Sequence, residues 1–184
     1  MATDARAAPK IWRGRFYEDF DVGDVYPSRL GRTVTETDNI WFTCLTLNTN
    51  QAHFNAVQSE RGLHGRTLVN STFTLALITG MTVPDTSENA AANLAWTDIT
   101  LPNPVFEGDT LWAESEILET RESASRPNMG IVSMRCRGIN QRRKGGDGGL
   151  TVPGLIRADH ALRDTRPCSQ FHLGQASTLP CLAQ

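Results

Sequence analysis

Between residues 68 and 81 the chain carries an apolar run that few folds can accommodate. Leu68, Val69, Phe73, Leu75, Ala76, Leu77, Ile78 and Met81 go nearly all the way round a helical wheel. A helix that is apolar on every side belongs in a core, and Pro84 is expected to close it. The remainder of the chain must then wrap around that helix. The residues after it have the pattern of strands. Residues 92–101 alternate loosely around Trp96 and Ile99. Residues 109–120 alternate through Leu111, Ala113, Ser115 and Ile117. Residues 130–140 set Val132, Met134 and Cys136 on one side. One buried helix followed by long antiparallel strands implies an α+β fold, a sheet wrapped on a single helix.

Ahead of the run, residues 1–15 read as a flexible arm and 25–34 as a strand. Thr35-Glu-Thr-Asp38 has the form of a capping box. The helix it starts is expected to place Ile40, Trp41, Cys44 and Leu45 on one face at helical spacing and to end near Leu47. Asn48-Thr-Asn50 is turn chemistry, since Asn tolerates left-handed backbone and bonds its own chain. Residues 56–63 suggest a short helix, which sets His64 beside Gly65. Beyond Arg142 the character changes. A glycine-rich linker leads to 150–156, a short strand that Pro153 demotes to an edge. The domain is thus expected over 16–157, with 158–184 an irregular tail.

Charge and composition exclude several classes. The net charge is −2, with both signs interspersed, which argues against nucleic acid as the main partner because phosphate binding needs a clustered basic surface. No apolar run approaches the ~20 residues of a membrane span. Residues 1–15 lack the apolar stretch of a secretory signal, so a cytoplasmic location is expected, or a mitochondrial one in a eukaryote given Arg6, Lys10, Arg13 and Arg15. Cys44, Cys136, Cys168 and Cys181 form no CxxC and no paired spacing, which suits free thiols and no metal site.

Three motifs in order carry a resemblance. Leu45-Thr-Leu-Asn48 continues through Thr49, Asn50, Gln51 and Ala52 to His53; Gly65-Arg-Thr-Leu-Val-Asn-Ser71 heads the apolar run; Arg121-Glu-Ser-Ala-Ser-Arg-Pro127 lies between two strands. Over residues 14–141 the chain resembles the MaoC-type hydratases of the hot-dog fold, and within them the branch acting on mesaconyl-CoA-like or itaconyl-CoA-like thioesters. Two departures stand out. The family's usual catalytic Asp is Asn48 here, and the strand that normally ends the fold has no counterpart after Arg142.

The resemblance implies addition of water to an enoyl-CoA, with coenzyme A entering only as part of the substrate and no separate cofactor. It also implies a homodimer or larger homo-oligomer with sites at the junction. His53 is then the proton-transfer group, since an imidazole ordinarily titrates at ~6.5. Ser71 offers its N–H to the enolate oxygen, a donor of a kind worth ~3 kcal/mol in other enzymes. Asn48 does not ionise, so it is expected to orient water through its carbonyl. Asn50 stitches the loop, and His64, Arg66, Asn70 and Arg126 are the substrate-binding candidates, with arginine suited to a carboxylate or phosphate. Trp41, Trp96 and Trp112 are taken as core or interface. Two other readings stay open: a non-catalytic acyl-CoA-binding protein, which Asn48 and the unusual C-terminal stretch keep open, and a hot-dog thioesterase, which would need a carboxylate on the central helix.

Overall fold

In the computed structural model, which describes residues 12–142 and 150–161, six strands form one antiparallel sheet against a long helix. They are β1 (Val25–Pro27), β2 (Arg32–Thr33), β3 (Ala90–Thr97), β4 (Thr110–Glu122), β5 (Met129–Asn140) and β6 (Leu150–Ala161). Three helices, α1 (Glu36–Leu45), α2 (Ala56–Glu60) and α3 (Ser71–Thr86), all lie before β3. The sheet order is β1-β4-β5-β6-β3, with β2 also on β4. This is the hot-dog arrangement, one sheet curled on a central helix.

The alternating patterns of β4 and β5 are realised. Leu111, Ala113, Ser115 and Ile117 of β4 and Val132, Met134 and Cys136 of β5 are all buried. Leu111 and Ala113 join Ile78 of α3 in one cluster with Val34, Val69 and Val105, and Ile117, Val132, Met134 and Cys136 form a second with Phe20 and Ile156. Gly130 sits where the Tyr17 ring crosses the sheet so closely that a β-carbon would overlap it.

Several expectations are corrected. The stretch 25–34 is not one strand but two short ones, β1 and β2, each paired with β4. The helix α1 does start at the capping box: Thr35 Oγ1 accepts from Asp38 N, and Asp38 Oδ2 accepts from Thr35 N. Its buried face is Asn39 and Thr43, however, while Trp41 and Leu45 are 68% and 77% exposed. Asn39 turns inward because the segment it packs against presents backbone carbonyls and an N–H group, which must be satisfied once buried, and Thr43 because its hydroxyl accepts from the buried Asn70 Nδ2.

The central helix is only half buried. Thr74, Ile78, Thr82 and Thr86 face inward at four-residue spacing, whereas Ala76, Gly80, Val83 and Pro84 are exposed. The threonines suit a core because their hydroxyls bond back along the helix, Thr82 to Thr79 O and Thr86 to Thr82 O, leaving methyl groups to pack. Pro84 does not close α3 but lies inside its last turn. The N–H it lacks would have gone to Gly80 O, so the cost is one bond near an end that frays anyway.

Finally, β6 supplies the closing strand that the sequence pattern does not show. It pairs with β5 along Leu150–Ala161 and with β3 from Leu155 to His160, so it is interior to the sheet. Pro153 is tolerated because β3 ends opposite Leu155, and at Pro153 only β5 is alongside. The domain therefore runs past 157, and residues 158–161 are strand, not tail. At the other end Trp12 and Arg15 of the supposed arm are docked: Trp12 Nε1 donates to Pro84 O and Arg15 Nε to Asp85 O. The expectations for 1–11, the linker 143–149 and the tail 162–184 fall outside the described residues.

Candidate active site

The turn after α1 is built by its asparagines. Leu47 takes φ 54°, a left-handed conformation that costs a branched side chain ~1 kcal/mol or more. Asn48 N then donates to Thr43 O, and the Asn48 side-chain oxygen accepts from Asn50 N at 2.9 Å. Asn50 in turn caps the single 3-10 turn Gln51–His53 by accepting from Ala52 N at 3.1 Å. The Asn48 carbonyl is thus already holding the loop.

His53 is buried, 8% exposed, at the end of that turn. Its Nδ1 lies 2.8 Å from Leu68 O. A carbonyl only accepts, so Nδ1 carries the proton, and in the neutral ring Nε2 holds the lone pair. Leu68 is itself fixed to this loop, since Leu68 N donates to Ala52 O at 3.0 Å. Three residues later α3 begins. As its first residue Ser71 carries one of the N–H groups that a helix cannot satisfy internally, at the end where the dipole favours negative charge.

Asn70 is the cap of α3. It is 1% exposed; Oδ1 accepts from Thr72 N and Thr72 Oγ1, and Nδ2 donates to Thr43 Oγ1. Oδ1 and one N–H of Asn70 are thus engaged inside the protein, immediately ahead of Ser71. His64 and Arg66 are exposed and stack on Phe106, His64 edge-on at 5.4 Å and Arg66 with its guanidinium 3.5 Å from the ring centre. Both line a cleft of about 430 Å³ with Asn50, Gln51, Leu63 and Leu68.

Arg126 is elsewhere. It sits in the β4–β5 turn, where Arg126 N donates to Ser123 Oγ. The 13 residues of β4 separate that turn from Phe106, roughly 40 Å of strand. The structure therefore brings together Asn48, Asn50, His53, His64, Arg66, Asn70 and Ser71, and leaves Arg126 apart within this chain.

Three residues of the site, Asn39, Thr43 and Glu107, escape the sequence reading. Asn39 Nδ2 donates to His53 O at 2.9 Å, Leu68 O at 3.1 Å and Glu107 Oε1 at 3.1 Å, and Asn39 Oδ1 accepts from Asn70 N at 2.9 Å. The available signal is an Asn inside a helix, where it is a poor former, four residues before a Thr on the same face. Among the described residues no group of three or more His, Cys, Asp or Glu is placed to hold a metal, and no helix is long and apolar enough to cross a membrane.

Comparison with known proteins supplies a frame for this geometry. Residues 3–151 match the family described as mesaconyl-CoA hydratase. The mesaconyl-CoA hydratase of Cereibacter sphaeroides is 34% identical over 134 residues, covering 70% of this chain and 37% of that protein. A putative MaoC-domain dehydratase from Chloroflexus aurantiacus superposes with a TM-score of 0.75 at 26% identity, over 96% of this chain and 47% of that one. A Mycobacterium tuberculosis protein described as a double hot-dog fold gives 0.73 at 17% identity, over 84% and 46%, and speaks for the fold alone. The chain spans about a third of the length of the curated relative.

Proposed function

Since this chain belongs to the mesaconyl-CoA hydratase family, we propose that it adds water across the double bond of an enoyl-CoA thioester, the preferred substrate being a branched dicarboxylic one of the mesaconyl-CoA or itaconyl-CoA type. One observation carries the reading: a buried imidazole with its Nδ1 proton on Leu68 O, three residues ahead of the open N-terminus of α3. Nε2 takes a proton from water as its oxygen bonds the β-carbon. The electrons of the double bond move to the thioester oxygen, which Ser71 N–H stabilises. The enolate then collapses as His53 returns the proton to the α-carbon. Asn48, through its NH₂, holds the thioester or the second carboxylate. Every group in this scheme is a protein group, and it calls for no metal or flavin.

The cleft beside Arg66 and His64 suits the anionic end of the substrate, a carboxylate or a nucleotide phosphate. Arg126 meets a site only if a second hot-dog unit brings it. Relatives and neighbours more than twice as long as the matched segment favour such a unit, and a second copy of this chain is the simplest source. The exposed face of α3 and the outer edge of β3, with Leu94 and Trp96 in the open, are where it would pack.

The test is turnover of crotonyl-CoA, mesaconyl-CoA and itaconyl-CoA by wild type and His53→Ala, read by absorbance of the conjugated thioester for the first two and by product mass for all three. Turnover of the carboxylated substrates that disappears with His53 is the expected result. Turnover that survives His53→Ala sinks the catalytic assignment. Binding with no turnover favours the second reading, an acyl-CoA-binding protein, whose supporting observation is the Asn48 carbonyl spent on Asn50 N–H. The thioesterase reading lacks a carboxylate: the acidic residue of α3 is Asp85, at the far end from Ser71.

A further inference from the structure

Asn39 touches both halves of the site. We propose that Asn39 is a positioning residue, whose carboxamide fixes His53 as the Nδ1–H tautomer and holds it in register with the N–H groups at the head of α3. The inference rests on the hydratase reading and adds a residue to it.

The side chain is fully buried on α1, and its partners dictate its orientation. Asn70 N–H can only donate, so Oδ1 faces it at 2.9 Å. His53 O, Leu68 O and the Glu107 carboxylate can only accept, so Nδ2 faces them at 2.9, 3.1 and 3.1 Å. Two amide protons serve three acceptors, which leaves no room for a residue with fewer donors. The contact that matters most is Leu68 O. That carbonyl receives Asn39 Nδ2–H and His53 Nδ1–H together, one for each lone pair. The amide therefore aims the Leu68 peptide so that its remaining lone pair meets the imidazole. Through Oδ1 the same amide holds the Asn70 peptide, and the Asn70 side chain caps Thr72 on the other side of Ser71. The base and the oxyanion donor are thereby referred to one rigid group.

Glu107 supplies a way to separate this role from simple support. In Asn39→Asp a second carboxyl faces Glu107, and the donors to His53 O and Leu68 O are gone. Adding Glu107→Gln gives an amide that can donate to the carboxylate introduced by Asn39→Asp, which relieves the repulsion without returning those donors. The experiment measures Tm, kcat and KM on whichever CoA thioester the wild type turns over, and the ¹⁵N–¹H signals of the His53 ring. Tm is expected to fall in Asn39→Asp and to recover in Asn39→Asp/Glu107→Gln. In both, kcat stays about 10- to 100-fold down at little-changed KM, the scale of a small misplacement of a catalytic group, and the ring signals split between tautomers. Recovery of kcat together with Tm overturns the proposal. Asn39→Ser, which admits water in place of the amide, decides the matter if neither Asp variant folds: the same kcat loss supports positioning, and wild-type kcat overturns it. Should the wild type turn over no CoA thioester, the hydratase reading fails separately and the ring spectra decide alone. A single Nδ1–H tautomer lost in Asn39→Ser supports the role, and one that persists refutes it.

Discussion

The two ends of α3 are built by opposite means. At its head, Asn39, Thr43, His53 and Asn70 are buried polar side chains joined by short hydrogen bonds, so each bond is strong and each loss leaves a group stranded out of water. At its tail, about 20 Å away along the axis, Trp12 and Arg15 strap the last turn from outside. Arg15 meets Asp85 at 3.5 Å and lies over the rings of Trp12 and Tyr26. Those contacts are partly solvated and share their work with water. A polar network buried under a helix N-terminus fixes geometry, whereas a surface strap only adds a little stability.

The sharpest way to break that comparison is at the head. Replacing His53 with Ala is expected to lower turnover by about 10²- to 10⁴-fold and also to lower the melting temperature, since a buried ring and its bond to Leu68 O are lost; steady-state kinetics and calorimetry check both. Asn70→Ala removes the α3 cap and strands Thr43 Oγ1, for an expected loss of about 1–3 kcal/mol in urea unfolding, together with weaker turnover as Ser71 loses its support. If this variant is as stable as wild type, the head is no more demanding than the tail and the comparison fails.

An intermediate case is the start of α1. Arg32 forks onto both oxygens of Asp38 at 2.7 and 2.8 Å. The guanidinium, helped by the hydrogen bonds of Thr35, holds the Asp38 carboxyl well below the usual carboxylate range despite some burial. A depressed folded value means the contribution is present above the ordinary ~3.9 and is lost as pH falls through the folded value. Asp38→Asn should therefore cost about 1 kcal/mol near neutrality, and its gap from wild type should close progressively below the ordinary carboxylate range. Urea titrations at stepped pH read this, and a gap that widens in acid would reverse the sign. The smallest effect belongs to the tail. Asp85→Asn keeps the backbone bond to Arg15 Nε and removes only the ion pair, for a few tenths of a kcal/mol that disappear in high salt.

Strands β4 and β5 are legible in the sequence because alternation with period two survives any partner choice, and the Thr35–Asp38 box because capping is local. The loop from Asn48 to His53 and the head of α3 are legible only through the family motifs; spacing alone leaves those asparagines as ordinary turn residues. The inward face of α1 is hidden for a physical reason. Hydrophobic periodicity assumes an apolar neighbour, and here the neighbour is polar: backbone groups draw Asn39 inward, the Asn70 amide draws Thr43, and Trp41 and Leu45 are left outside. One proline argues against an interior β6, because a sequence does not say that β3 stops before reaching it.

By itself, then, the chain determined its α+β class, the central helix and the two long strands, since these follow from local pattern and the need to bury apolar surface. It also carried the motifs that mark the family. Only the tertiary structure decided that α3 is open on one face, that Arg126 is remote from His53, and that Asn39 joins the His53 loop to the helix head. Each of those is a relation between segments far apart in sequence, and hydrogen-bond partners 14, 29, 31 and 68 residues away leave no periodic trace in the chain.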